Sequence, residues 1–86
     1  MLQIIQDTRE QHPFSFEGYP VEVLPGTLNA GDYSIPGFTD CVAVERKSLA
    51  DLIGCLSSGR ERFSRELERL RGYESAAVVV EAGFYE

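Results

Sequence analysis

The sequence predicts an α/β or α+β fold in which a mixed sheet is flanked by helices, and three observations carry that prediction. Short β-branched segments between glycines and prolines fill the first half of the chain. At Ser48 the apolar period changes to that of a helix, and Val78-Val79-Val80 then restores strand character. The order is one strand, then βββαα, then β, which is the pattern of helices packed on a sheet.

Leu2 to Gln6 is the first expected strand and stops at the polar cluster Asp7-Thr8-Arg9-Glu10. His12-Pro13 breaks the chain after that cluster, and Gly18, Pro20, Pro25, Gly26, Gly31, Pro36 and Gly37 exclude a long helix up to residue 40. Val21–Leu24, Asp32–Ile35 and Cys41–Arg46 have strand length. The last two pair as a hairpin across Pro36 to Asp40.

Leu49, Leu52, Ile53 and Leu56 lie on one face of a helix, with Ser48 as N-cap and Asp51 placed to complete a capping box. A second helix runs from Arg60 to Arg71 with Phe63, Leu67 and Leu70 as its apolar stripe and Gly72 as its stop. Ala76 to Glu81 reads as a strand buried on both faces, because Val78 to Val80 leave no polar alternation. A buried strand followed at once by Gly83-Phe84-Tyr85-Glu86 has an uncovered edge. Truncation of a longer domain, or a partner chain, is therefore expected.

Eighty-six residues leave room for one domain, because chains of this size bury only about 60 to 65% of their unfolded surface. With 43% hydrophobic and 26% charged residues the chain lies well outside the disordered regime. It shows neither an apolar run long enough for a membrane span nor the basic leader of a secretory signal, so an intracellular protein is expected. Cys41 and Cys55 are too few for a disulfide framework and lack zinc-site spacing, and both read as buried small hydrophobes. His12 has no nearby ligand partner in sequence.

The net charge of −6 hides an uneven distribution. Residues 46 to 71 hold seven of the eight bases (Arg46, Lys47, Arg60, Arg62, Arg65, Arg69 and Arg71) and only four acids. Such a split suits a protein that gathers carboxylates at one place and offers cations to a polyanion at another.

The densest chemical signal is Gly31-Asp32-Tyr33 followed by Val42 to Lys47. On a strand, Glu45 and Lys47 share one face while Arg46 faces away. The hairpin brings Asp32 to the same surface. Two carboxylates with a lysine supply what metal-assisted phosphodiester hydrolysis requires: hard oxygen ligands for Mg²⁺ or Mn²⁺ and a cation to orient water or stabilise charge on phosphorus. Asp7 and Glu10 stand at the end of the first strand, where ligand-binding residues of open sheets gather. Four carboxylates in one place repel one another, and a divalent ion with Arg9 and Lys47 close by resolves that repulsion. Taken alone, Glu-x-Lys on a strand also describes a solvated ion pair in a small acidic interaction domain.

The ordered set Asp7-Thr8-Arg9-Glu10, Leu28 to Tyr33, Val44 to Leu52 and Gly59-Arg60 resembles the nuclease domain of the XPF family of structure-selective DNA endonucleases. That family is a branch of the restriction-endonuclease-like PD-(D/E)XK superfamily. The resemblance spans residues 3 to 81, and Gly31-Asp32, Glu45-Arg46-Lys47 and Asp51 match the family signature without substitution.

The resemblance implies a restriction-endonuclease-like fold over residues 1–86, as the N-terminal fragment of a complete nuclease domain. It implies metal coordination by Asp32 and Glu45, catalysis by Lys47, and supporting active-site roles for Asp7, Arg9, Glu10 and Arg46. Asp51 is expected to orient the Glu-Arg-Lys strand or cap the helix, and Arg60 to lie beside the scissile phosphate or the DNA backbone. Arg62 and Arg65 fall on a helix face that can follow phosphates, although Glu61/Arg65 and Arg62/Glu66 are also ordinary helix pairs.

The implied activity is Mg²⁺- or Mn²⁺-dependent cleavage of DNA to a 5′ phosphate and a 3′ hydroxyl, linked to repair or recombination. The implied partners are DNA and a second subunit, as homodimer or heterodimer through this domain, with no membrane. The compartment is nuclear in a eukaryote and cytoplasmic in a prokaryote or virus. The alternative reading is a non-catalytic DNA-binding or scaffold module of the same fold. The glutamine that relatives carry after the Gly-Arg pair is absent from Glu61 to Glu66. Tyr33, Phe14, Phe16 and Tyr73 are read either as core or as stacking platforms for unpaired bases.

Overall fold

The computed structural model describes residues 1–82, so the expected chain end at Gly83 to Glu86 lies outside the described residues. Five strands form one sheet in the order β2-β1-β3-β4-β5. Strand β1 (Leu2–Asp7) runs parallel to β2 (Val21–Gly26) and antiparallel to β3 (Tyr33–Ser34). Strand β4 (Val42–Ser48) is antiparallel to β3 and parallel to β5 (Ser75–Glu81). The helices α1 (Leu49–Leu56) and α2 (Arg60–Arg71) make the crossover from β4 to β5 that a parallel pair requires.

The element order is that expected from the sequence, with local differences. Strand β3 keeps only two residues, because Gly31 turns the chain just before it and Pro36, lacking an N–H, comes soon after it. Strand β4 extends two residues past its expected end because pairing with β5 continues through Lys47↔Val80 and Ser48↔Glu81.

Ser48 caps α1, its hydroxyl accepting from the Asp51 N–H at 3.1 Å. The reciprocal half of the expected capping box is not formed, since Ser48 is still committed to the β4/β5 ladder. Half of the α1 apolar stripe also misses the core: Leu49 and Leu52 are half-buried, while Ile53 and Leu56 are 60% and 62% exposed. A helix of eight residues spans only about 12 Å, and it leans on α2 and on β4 and β5 along one side.

Strand β5 is not buried on both faces. Within the described residues it is an edge strand with only Val78 half-buried, since the helices lie against it from one side and no further strand pairs with it.

The fully buried apolar residues are few: Leu28, Tyr33, Ala43 and Leu70. Phe14 stacks on Tyr33 with ring centroids 5.1 Å apart, Phe16 meets both rings edge-on, and the Tyr33 hydroxyl accepts from the Phe14 N–H at 2.7 Å. These three aromatics pack on one another, with Tyr33 buried and Phe14 and Phe16 half-buried. Cys41 and Cys55 are free thiols, half-buried rather than fully buried. No helix among the described residues is long and apolar enough to cross a membrane.

Candidate active site

Gly31 adopts φ +76°, a conformation open to glycine, and a Cβ there would lie 3.0 Å from the Val44 carbonyl oxygen. This close approach lets the Asp32 N–H donate to Val44 O at 2.7 Å. Tyr33 then pairs with Val44, so the residue before it, Asp32, stands opposite the residue after it, Glu45. The Arg46 N–H completes the arrangement by donating to Asp32 Oδ2 at 2.8 Å. Two acids thirteen residues apart in sequence are thereby held side by side by the main chain and the Asp32 carboxylate's bond to it.

They open into a cleft of about 300 Å³ whose walls include Asp7, Arg9, Glu10, Asp32, Glu45, Arg46, Lys47 and Asp51. The seven residues expected to support chemistry and the expected structural Asp51 thus meet in one place. Gln11 and His12 also line it, and nothing in their sequence spacing singled them out.

Asp7 does a different job from Asp32. Only 2% exposed, it accepts from the Arg9 N–H and Nε at 2.9 and 2.8 Å on Oδ1, and from Arg9 Nη2 and the Leu28 N–H at 2.8 Å on Oδ2. Arg9 Nη2 also donates to Leu28 O at 2.8 Å. The Arg9 guanidinium holds the Asp7 carboxyl well below the usual carboxylate range, against the opposing effect of burial. Asp7 and Arg9 therefore lock the end of β1 to the Leu28 loop along one wall of the cleft. The expectation that four carboxylates crowd around one ion is corrected accordingly, since Asp7 has its charge already balanced.

Asp32 and Glu45 have no such relief. Burial and the neighbouring Asp32 push the Glu45 carboxyl up to about 7. Burial likewise raises Asp32, with Glu10 adding like charge and the Arg46 N–H opposing it. Each cation of the cleft is engaged with an acid other than these two: Arg9 with Asp7 at 2.8 Å, Arg46 with Glu81 at 2.6 Å, and Lys47 with Glu66 at 3.2 Å.

Two half-buried, mutually repelling carboxylates without a side-chain cation fit a hard divalent ion. No group of three or more His, Cys, Asp or Glu side chains among the described residues converges as a cage. Asp32 and Glu45 are thus a two-carboxylate donor set of the kind Mg²⁺ accepts when water and phosphate oxygens complete its shell.

Lys47 is 9% exposed and lies on β4 with its ammonium 5.6 Å from the centroid of the Phe63 ring. Burial opposes its charge, yet Glu66 outweighs burial and its pKa is raised. Arg46 turns its side chain away to Glu81 and toward the Phe14 ring, so its direct service to the acids is through its main chain. Asp51 caps through its N–H, and its own side chain borders the cleft. Helix spacing pairs Glu66 with Arg62, but Glu66 meets Lys47 instead, and Glu81 carries no signal in sequence; both roles arise from how α2 and β5 dock beside β4.

A second cleft of about 590 Å³ adjoins the first, shares Lys47 and Asp51 with it, and is walled by Arg62 from α2. Arg60, Arg62 and Arg65 are exposed and make no ion pair among the described residues. Of the three, only Arg62 is placed at the mouth of the site.

A mixed five-stranded sheet with Asp32 just ahead of β3 and Glu45 and Lys47 on the adjoining β4 defines a restriction-endonuclease-like nuclease domain of the XPF type. Its sequence matches the ERCC4 domain over residues 6–86, and the chain belongs to that family. It is 37% identical over 82 residues to the DNA repair endonuclease XPF of Drosophila melanogaster, covering 92% of this chain and 8% of that protein. It is 42% identical over 60 residues to the DNA repair protein RAD1 of Saccharomyces cerevisiae, covering 66% of this chain and 5% of that protein. The chain therefore spans less than a tenth of the length of these relatives. Its structure superposes on that of XPF from Aeropyrum pernix in complex with DNA with a TM-score of 0.71 and 28% identity, covering 96% of this chain and 41% of the other.

Proposed function

We propose that this domain is the catalytic module of a divalent-metal-dependent, structure-selective DNA endonuclease that acts in DNA repair or recombination. The observation that carries the proposal is the pair Asp32 and Glu45, half-buried together beside Lys47 in one cleft and without a direct ion pair to either acid among the described residues. The DNA repair endonucleases among its relatives, and a solved relative in complex with DNA, support the choice of substrate. A pure scaffold gains nothing from two half-buried like charges, which cost stability until something neutralises them.

In this reading Asp32 and Glu45 hold Mg²⁺ or Mn²⁺. The ion, when bound, polarises the scissile phosphate and acidifies a water. Lys47 places its ammonium where it orients that water or meets charge developing on phosphorus, leaving a 5′ phosphate and a 3′ hydroxyl. Glu45, with its pKa raised to about 7 by burial beside Asp32, is only partly ionised in neutral, metal-free solution and would lose its remaining proton on holding the ion. Arg62, with Arg60 and Arg65 behind it on α2, meets DNA phosphates as they enter the cleft. The site of action is DNA inside the cell, with a second subunit docked through this domain as the family resemblance implies.

The test is nicking of flapped or forked DNA by the whole protein with Mn²⁺ or Mg²⁺. Cleavage is expected to stop on chelation and in Asp32→Asn and Glu45→Gln, while DNA binding persists. Cleavage retained in both variants overturns the proposal.

A further inference from the structure

Lys47 is held by a residue that neither the family signature nor the strand pattern marks. Glu66, one turn beyond Phe63 on α2, presents Oε2 to the Lys47 Nζ at 3.2 Å. That oxygen is fully enclosed and has no well-directed hydrogen bond among the described residues, and Lys47 is the ion-pair partner of Glu66 there. Phe63 and Glu66 are three apart on a helix and therefore face the same way. The aromatic ring and the carboxylate together cradle the lysine head.

A partly buried ion pair of this kind is a poor source of stability, because desolvating two charges offsets their attraction. It is a good way to fix where a charge sits. Lys47 carries a flexible four-carbon stem and three equivalent donors. Without an anchor its ammonium would be free to turn toward Glu45, which projects from the same strand face two residues away and already feels the Lys47 charge. Glu66 draws the ammonium to the α2 side of the cleft, where the second cleft and Arg62 begin. The Asp32/Glu45 pair is left without a side-chain cation.

We propose that Glu66 is a positioning residue that, with the Phe63 ring, anchors the Lys47 ammonium on the helix side of the cleft and keeps it from closing a direct ion pair with Glu45. This role rests on the nuclease reading of the site. Glu66 acts through Lys47 and does not touch the substrate.

The experiment is single-turnover cleavage of forked DNA by the whole protein with Mn²⁺, comparing wild type, Glu66→Ala, Glu66→Gln, Lys47→Ala and the double variant Lys47→Ala/Glu66→Ala. Glu66→Ala is expected to slow cleavage about 10- to 100-fold, the scale of a displaced catalytic group, with the Kd for DNA unchanged. Glu66→Gln, which keeps the reach but not the charge, is expected to recover part of the rate. In the Lys47→Ala background, removing Glu66 is expected to cause no further loss. Equal loss in both backgrounds, or no loss in wild type, overturns the proposal.

A second measurement does not depend on activity. In ¹H–¹⁵N spectra of lysine side-chain amines, the signal assigned to Lys47 by its absence in Lys47→Ala should shift and exchange faster with water in Glu66→Ala. A signal that stays in place overturns the anchor whatever the kinetics show. Wild-type protein that fails to cut with either metal would instead defeat the nuclease reading, and the amine spectrum still decides the anchor.

Discussion

The Arg46 main-chain N–H lies 2.8 Å from Asp32 Oδ2, so the residue after Glu45 on β4 also fixes the carboxylate that faces Glu45. The two acids are held at close quarters by a bond that their repulsion opposes. Asp32→Asn keeps an oxygen for that N–H and removes the repulsion. The variant is expected to melt at or above the wild-type temperature while losing cleavage, and the Glu45 carboxyl, freed of its charged neighbour, should titrate below about 7. Calorimetry and ¹³C carboxyl titration read both, and an unchanged Glu45 titration would mean that burial alone raises it.

Stability should fall as pH rises through the slightly acidic range in metal-free solution. Glu45 binds its proton more tightly in the folded protein, where its pKa is about 7, than at its ordinary value of 4.5. The native state therefore holds more protons between those values, and its contribution to stability is lost as pH rises through them. Asp7 works in the opposite sense: its depressed pKa contributes stability that is present above the ordinary aspartate pKa and lost on acidification. A melting-temperature maximum is therefore expected at about pH 4, between the two windows. Glu45→Gln should flatten the neutral side alone.

Divalent metal should reverse that slope. Mg²⁺ or Mn²⁺ binds the ionised pair, so added ion is expected to raise the melting temperature more at about pH 8 than at about pH 5.5. Asp32→Asn and Glu45→Gln should abolish the increment. Isothermal titration of the ion into each variant checks the same claim without any substrate.

Asp7→Asn should destabilise the fold by about 2 to 3 kcal/mol, the scale of hydrogen bonds to a buried charge. It puts an amide where the Arg9 guanidinium and the Arg9 and Leu28 N–H groups all donate. Asp32→Asn, by contrast, should not destabilise. Chemical denaturation of the two variants side by side separates a structural aspartate from one reserved for ligand.

Gly31→Ala should cost about 1 to 3 kcal/mol, because a Cβ would meet the Val44 carbonyl oxygen at 3.0 Å in a backbone conformation with φ +76°. The strain falls on the turn that delivers Asp32. Cleavage should therefore drop further than the loss in folded fraction explains, as paired denaturation and activity measurements would show.

The residues that meet in the cleft were largely legible in the order of the letters. The strand alternation of Glu45 and Lys47, the turn at Gly31-Asp32 and the polar stop after β1 each arise from local chemistry; the hairpin put Asp32 on the same surface, and the Tyr33↔Val44 register made it the neighbour of Glu45. The helix boundaries were legible for the same reason, since Ser48 and Gly72 act within one turn of the residues they terminate.

Local chemistry could not distribute the charges among partners. Asp7 and Asp32 read alike as acids at the margins of strands, yet one is balanced by Arg9 and the Leu28 N–H while the other is left beside Glu45. Nor could it show that β5 leaves Val79 and Val80 exposed, or that α2 turns Glu66 toward Lys47. A short peptide fixes which way its own side chains alternate, but an ion pair between a strand residue and a helix residue far along the chain depends on the angle and depth at which the helix docks. That docking is set by the summed packing of the chain, and only the folded molecule contains it.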